Sequence, residues 1–160
     1  MILTAKQEEG LKIAVARYKA HEAYTCISGY AGTGKSTLIK FIIAALGLEP
    51  EQVCYVAYTG KAAQVLKQKG CPNPFTAHKL LYKAKPMPNG TFKFEPKPAL
   101  DEGLEVIIVD EVSMLPKEMW ALLLSHIIYV ICLGYPFQLP PIGEDNGVLF
   151  DAQIFLDEIM

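Results

Sequence analysis

The sequence contains a single arginine, Arg17, and four cysteines that lack the Cys-x-x-Cys spacing typical of zinc and redox sites. Three of the cysteines, Cys26, Cys54 and Cys132, lie in apolar segments. We therefore expect buried, reduced thiols rather than disulfides or a metal site, as in cytoplasmic proteins.

Long hydrophobic segments are also absent. The longest, residues 120–133, is interrupted by Ser125 and His126 and is too short to span a bilayer, so a helix followed by a strand is the better interpretation. Charged residues begin at Lys6, which is not the pattern of a secretory signal. These features predict a cytoplasmic protein with no membrane partner.

Apolar residues are abundant, at 51% of 160 residues with a mean hydropathy of +0.22. A chain of this length predicts one domain with a substantial core and room for a small insertion. We expect part of the apolar excess in parallel strands that are buried on both faces. Another part is expected in a surface that packs against a partner domain.

Residues 29–37 read Gly-Tyr-Ala-Gly-Thr-Gly-Lys-Ser-Thr, which matches the phosphate-binding loop pattern Gly-x-x-x-x-Gly-Lys-Ser/Thr. A β-rich apolar segment precedes this loop and a helical segment follows it, as the motif requires. Its glycines let successive backbone N–H groups point at phosphate oxygens, at the positive end of the following helix. The predicted nucleotide site comprises Gly29, Gly32, Thr33, Gly34, Lys35, Ser36 and Thr37.

Four polar side chains are expected to meet at this site. Lys35 should reach the β- and γ-phosphates, and the Ser36 hydroxyl should bind Mg²⁺. Residues 104–109 predict a buried strand that ends at Asp110 and Glu111, and the carboxyl ends of parallel strands meet at one edge of a sheet. Asp110 is then a further Mg²⁺ ligand, and Glu111 polarises the water that attacks the γ-phosphate.

Two glutamines are further candidates. Gln7 follows Thr4, the expected N-cap of a first helix. It is either an exposed helix residue or a ligand whose amide suits the donor and acceptor edge of adenine. Gln138 follows the strand predicted at 127–133, at the nucleotide edge, where a neutral amide can distinguish a triphosphate from a diphosphate.

Residues 61–98 contain eight lysines and one glutamate, a local charge of +7, so the remainder of a chain with net charge −2 carries −9. Such a basic block beside a phosphate-binding core predicts a surface for a polyanion, and a solvated lysine-rich surface is the simpler alternative.

Two turns into helices border the basic block. Thr59, Gly60 and Lys61 follow a predicted strand directly, which is an anion-binding arrangement suited to a nucleic-acid phosphate. Thr76 is the expected N-cap of a short helix that carries His78, for which a structural and a functional role are equally supported.

Residues 84–98 differ in character from the rest of the block. Prolines bracket Asn89-Gly90 and an alternating segment, the pattern of a two-residue β-hairpin, with an ordinary loop as the alternative. Phe92 and Phe94 lie on one face of this predicted hairpin and offer stacking surfaces for bases.

With these motifs in order, the sequence resembles the N-terminal motor domain of superfamily 1B DNA helicases, the RecD/Dda-like group. Leu3-Thr4-x-x-Gln7 is similar to the Q motif, and motifs I, Ia, Thr-x-His, II and III are similar to residues 29–37, 57–63, 76–81, 109–114 and 134–141. The hairpin lies where the family inserts its strand-separating pin.

This resemblance implies an α/β fold, with a P-loop NTPase (RecA-like) parallel sheet flanked by helices and a small inserted hairpin, over residues 1–160. It implies a 5′–3′ DNA helicase that hydrolyses ATP with Mg²⁺ and uses Lys35, Glu111 and Gln138 in catalysis. It also implies that single-stranded DNA contacts motif Ia and the Thr-x-His motif.

The sequence departs from the family in two ways. Tyr135 stands where motif III has an acid, which puts the polar contacts of Gln138 in doubt. The arginine-bearing second motor domain is not in the sequence, and Arg17 lies in a helix too near the N-terminus to replace it. Arginine fingers would come from a second motor domain or a partner chain, and because a finger contributes on the order of 10³ to 10⁵ in rate, we expect weak hydrolysis and no unwinding by this chain alone.

Two other functions stay open. A phosphate-binding loop also occurs in small-molecule kinases, but these usually need an arginine-rich lid, which a chain with one arginine does not offer. The chain could instead be a fragment that binds nucleotide or DNA without turnover, which Tyr135 favours.

Overall fold

The structure is a computed structural model that describes residues 2–29, 34–71, 74–134 and 152–156. Its helices are α1 (Ala5–Lys19), α2 (Lys35–Ala45), α3 (Gly60–Gln68), α4 (Ala77–Leu81) and α5 (Lys117–Ser125). Its strands are β1 (Tyr24–Gly29), β2 (Val53–Ala57), β3 (Pro74–Thr76), β4 (Tyr82–Pro86), β5 (Phe92–Pro96), β6 (Val106–Val109), β7 (Tyr129–Gly134) and β8 (Ile154–Leu156). Short 3-10 helices cover Pro50–Gln52 and Val112–Met114.

Six strands form one parallel sheet in the order β3, β2, β6, β7, β1, β8. The four central strands are buried almost throughout, as expected of a sheet that is covered on both faces. All strands therefore end at one edge, which we name the carboxyl edge, and begin at the opposite amino edge. The predicted α/β fold with a parallel sheet flanked by helices is confirmed.

Alternate residues of each strand contribute to two separate cores. On one face, side chains such as Ile27 and Ile131 pack with α1, α2 and α3. On the other face, Cys26 and Cys132 pack with α4 and α5. This period-two alternation means that each buried strand supplies both layers of the domain.

The cysteines behave as their apolar context predicts. All four are free thiols, and Cys26, Cys54 and Cys132 are buried in the core. Burial raises the pKa of Cys54 to about 12, so this thiol stays protonated and unreactive. In the described part of the chain, no group of three or more acidic, histidine or cysteine side chains could hold a metal ion.

A separate two-stranded sheet, β4 paired with β5, forms the predicted hairpin over 82–96 rather than 84–98. The predicted two-residue turn is wrong, because three residues, 88–90, lie between Met87 and Thr91, the last hydrogen-bonded pair of the hairpin. Met87 N–H donates to the Thr91 carbonyl over 2.8 Å, and Gly90 N–H donates to the Met87 carbonyl over 3.1 Å. Pro88 occupies the position of a type I turn where its fixed φ is favoured, and Gly90 follows with φ +84°.

The segment 154–156 adds an edge strand beside β1 in which Ile154 and Leu156 are buried and Phe155 is exposed. This alternation gives the strand one buried face and one exposed face. Among the described residues, no helix has the length and apolar character needed to cross a membrane.

Gly10 is where α1 comes closest to its neighbours. A Cβ atom there would lie 2.9 Å from Ile154 Cγ2 and 3.1 Å from Leu38 Cδ2. We predict that Gly10→Leu destabilises the fold by about 1–3 kcal/mol, because it forces α1 away from both side chains. Ala16→Leu, at an exposed position of the same helix, should leave stability nearly unchanged. Thermal unfolding followed by circular dichroism measures both, and equal midpoints would contradict this packing.

Candidate functional site

The helix α2 begins directly after the predicted phosphate-binding loop. Gly34 is its N-cap and has φ +84°, a conformation that favours glycine. In the part of the chain that the structure describes, no side chain caps this helix and no acidic residue lies in its first turn. The positive end of the α2 dipole therefore remains available to an anion. Gly32 and Thr33 lie outside the described residues.

Lys35 is the first residue of α2, and its ammonium group lies at the carboxyl edge. Its Nζ donates to the carbonyl oxygens of Gly29, over 2.5 Å, and of Gly134, over 3.1 Å. Burial lowers the pKa of Lys35, while the nearby carboxylates of Asp110 and Glu111 act in the opposite direction. Lys35 thus joins the ends of β1 and β7, at the sheet edge that also carries both acids.

Asp110 and Glu111 follow the last residue of β6. Asp110 N–H donates to the Val56 carbonyl over 2.9 Å, which fixes the acid beside β2. Burial raises the pKa of Asp110, and Lys69, the Glu111 N–H and Lys35 partly offset this effect. Glu111 is exposed and left-handed, with φ +51°, which is uncommon for a residue other than glycine and recurs at functional sites.

Ser36 and Thr37 lie in the first turn of α2, where Ser36 is exposed and Thr37 is half-buried. A hydroxyl and a carboxylate are hard oxygen ligands of the kind that Mg²⁺ prefers, so Ser36 and Asp110 have suitable chemistry for this ion.

The interpretation of Gln7 as an exposed helix residue is wrong, because its side chain is fully buried. Its Oε1 accepts from Thr4 N–H over 2.9 Å, while Thr4 Oγ1 accepts from Gln7 N–H, a complete capping box. Its Nε2 donates to the Gly34 carbonyl over 3.2 Å. Gln7 therefore ties the start of α1 to the end of the phosphate-binding loop, and its contact with adenine stays a prediction.

The expected DNA-contacting threonines both cap helices. Thr59 Oγ1 accepts from Ala62 N–H over 3.1 Å at the start of α3. Thr76 Oγ1 accepts from Lys79 N–H over 3.2 Å at the start of α4. Because β2 pairs with β3, the two helix starts lie side by side at the carboxyl edge, with Gly60 and Lys61 exposed.

His78 is exposed on α4 between two tyrosine rings that the sequence did not single out. Its ring centroid lies 6.0 Å from that of Tyr58, at the end of β2, and 5.8 Å from that of Tyr82, at the start of the hairpin. Only the pairing of β2 with β3 brings these rings together, so no local pattern reveals them. The three rings form an aromatic row from the sheet edge to the hairpin.

The hairpin has two chemically different faces. Phe92 and Phe94, which are 64% and 67% exposed, lie opposite Pro86 and Ala84 on one face. The other face carries lysines and one acid, in the pairs Lys85–Lys93 and Lys83–Glu95. The rings and the ammonium groups of the hairpin therefore point in opposite directions.

Arg17 is fixed at the opposite end of the sheet from Lys35. Its Nη2 donates to the Tyr24 carbonyl over 2.7 Å, and its Nε donates to Thr25 Oγ1 over 3.1 Å. Both partners lie where β1 begins, so the single arginine is a structural residue. Gln138 and Tyr135 lie outside the described residues.

Residues 3–154 match the model of a family described as AAA domain. The ATP-dependent DNA helicase Dda of Enterobacteria phage T4 is 31% identical over 160 residues, covering 96% of this chain and 36% of the phage protein. An uncharacterized protein of Acanthamoeba polyphaga mimivirus is 33% identical over 168 residues, covering 82% of this chain and 33% of that protein.

Two helicase structures share the fold. The Pif1 protein of Bacteroides sp, crystallised in complex with ADP-AlF4, superposes with a TM-score of 0.68 and 22% identity, covering 100% of this chain and 43% of that one. Pif1 helicase from Candida albicans gives a TM-score of 0.62 with 22% identity, covering 100% of this chain and 41% of the other.

The chain spans less than half the length of these relatives. The family match extends over nearly all of its residues, and the shared fold includes the parallel sheet and flanking helices described above. The chain therefore belongs to the AAA domain family and shares its fold with the Pif1 structures.

Proposed function

We propose that this chain is the ATP-binding and ATP-hydrolysing motor domain of a 5′–3′ DNA helicase, with residues 1–160 as one domain and the hairpin as a pin-like insertion. The observation that carries the proposal is that Lys35, at the start of α2, lies at the same sheet edge to which β6 brings Asp110 and Glu111. A cation, two carboxylates and a helix N-terminus at one sheet edge are the groups that phosphoryl transfer to water requires.

Within this site, Lys35 binds the β- and γ-phosphates of ATP, which the backbone N–H groups at the start of α2 help to hold. Ser36 and Asp110 would hold Mg²⁺, and the bound ion would neutralise phosphate charge. Glu111, exposed at its left-handed position, orients and polarises the attacking water. Gln138 senses the γ-phosphate, and Gln7 contributes to the adenine pocket.

Single-stranded DNA is the proposed partner at the carboxyl edge. The N-termini of α3 and α4 present Thr59, Gly60, Lys61 and Thr76, and the aromatic row adds stacking surfaces. The rings and the lysines of the hairpin lie on opposite faces. Phe92 and Phe94 would therefore contact bases on one face, and the lysines would not contact the same nucleotides.

Translocation in this proposal needs a second motor domain or a partner chain that supplies arginine fingers. The single arginine of the chain is bonded at the start of β1, so it cannot serve the nucleotide site. The same observation disfavours a kinase, for which phosphorylation of an added nucleoside monophosphate is the diagnostic result. We expect the protein to be cytoplasmic. The isolated chain should bind ATP and Mg²⁺ and should hydrolyse ATP slowly.

We predict that Lys35→Ala lowers ATP hydrolysis by at least roughly 100-fold, because it removes a cation aimed at the developing phosphate charge. Lys40→Ala, which removes an exposed lysine from the same helix, should have little effect. Phosphate release with and without single-stranded DNA measures both. Strong DNA-stimulated turnover by the wild-type chain alone would contradict the requirement for an external arginine.

We expect the Asp110 carboxylate to lower the stability of the fold while it contributes to ATP hydrolysis. Burial favours its protonated form, so ionisation costs folding free energy as the pH rises through its raised pKa. We therefore predict that Asp110→Asn raises the melting midpoint at pH 7 without nucleotide, yet lowers Mg²⁺-dependent hydrolysis by at least about 100-fold. Asp101→Asn, at an exposed position, is the control. A lower midpoint for Asp110→Asn would show that the carboxylate is needed for folding instead.

We predict that His78→Ala weakens binding of an oligothymidine by roughly tenfold, because the middle ring of the aromatic row is lost. His21→Ala removes an exposed histidine at the amino edge and should not change the affinity. Fluorescence anisotropy at several salt concentrations measures binding, which should weaken steeply as salt rises. Equal losses for both variants, or an affinity that does not depend on salt, would argue against DNA at the carboxyl edge.

A further inference from the structure

An open cavity of about 430 Å³ lies at the amino edge, where α1 and α5 end and β1, β6 and β7 begin. Its apolar walls include Tyr18, Leu104, Ile127, Ile128 and Tyr129. The rings of Tyr18 and Tyr129 meet edge to face, with centroids 5.4 Å apart. This volume falls within the range of ligand-binding cavities, roughly 300–1,000 Å³. The nucleotide site uses none of these residues.

Two helices that border this cavity end in an unfavourable conformation. Ile127 follows α5 with φ +57°, and His21 follows α1 with φ +60°. Glycine or asparagine is usual at such a left-handed helix end, and a β-branched residue is strained there. Ile127 is also 93% exposed, so its side chain adds little to the core of the folded chain. Such strain persists where a residue serves a function.

Acidic side chains outnumber lysines around the rim of the cavity. Glu22 and Glu105 line it together with Lys19 and His21. Leu104 N–H bonds the Asp101 carbonyl, and Glu105 N–H bonds the Gln52 carbonyl, so two neighbouring turns bring further acids to the same edge. The exposed carboxylates at this edge are Glu22, Glu49, Glu51, Asp101, Glu102 and Glu105. The +7 block, in contrast, surrounds α3, α4 and the hairpin.

We propose that this cavity docks a basic segment of a partner protein, which inserts an apolar side chain between Ile127 and the two tyrosine rings. Glu22 and Glu105 in the lining, together with the four other carboxylates of this edge, attract lysine and arginine side chains. The same charge repels nucleic acid. Salt screens the attraction between exposed charges, so we expect the complex to weaken as the salt concentration rises.

The test uses two fluorescent peptides of opposite charge, one of leucine and lysine and one of leucine and glutamate, without nucleotide or DNA. We expect the wild-type chain to bind the lysine peptide and not the glutamate peptide. Glu102→Lys/Glu105→Lys should weaken that binding by at least roughly tenfold. Glu8→Lys/Glu9→Lys, which makes the same charge change on an exposed part of α1, should not.

A second variant separates docking from folding. Ile127→Gly should raise the melting midpoint by roughly 2–4 °C, because glycine tolerates φ +57°, and should weaken peptide binding several-fold. Equal losses for the Glu102/Glu105 and Glu8/Glu9 variants would overturn the proposal, as would unchanged binding by Ile127→Gly. Self-association of the wild-type chain in sedimentation, abolished by Glu102→Lys/Glu105→Lys, would instead assign the cavity to a second copy. None of these results depends on ATP hydrolysis.

Discussion

The hydrogen-bond ladder of the parallel sheet is the constraint on which the site depends. The register pairs Ser28 with Gly134 and Val56 with Val109, so β1, β7, β2 and β6 all end at one edge. That alignment brings Asp110 towards the ammonium group of Lys35, although 75 residues of chain separate them. A shift of one residue in the register of β6 would turn Asp110 to the other face of the sheet, and the site would be lost.

Local patterns in the sequence predict the parts of this structure that short-range physics controls. The N-caps at Thr4, Thr59 and Thr76 depend on a hydroxyl and a backbone N–H three residues away, which a sequence shows directly. The position of Asp110 also follows from sequence, because a buried strand followed by acids indicates the carboxyl edge. In the hairpin, Pro88 is a local signal that favours the three-residue turn over the two-residue turn.

Contacts between distant segments account for what the sequence does not reveal. Gln7 is buried because its amide reaches Gly34, 27 residues away, and no pattern around Gln7 predicts that bond. The row of Tyr58, His78 and Tyr82 exists only because β2 pairs with β3. The acidic amino edge is a further example, since acids from three separate segments assemble there.

The bonds of Lys35 also determine what a binding measurement on this protein reports. Two carbonyl oxygens accept hydrogen bonds from its ammonium group, so an incoming phosphate would compete with these partners. The measured affinity is then the difference between two sets of hydrogen bonds, smaller than the strength of either set alone. One of these two oxygens belongs to Gly134, at the end of β7. A nucleotide that binds Lys35 would therefore also change the contacts of a second strand.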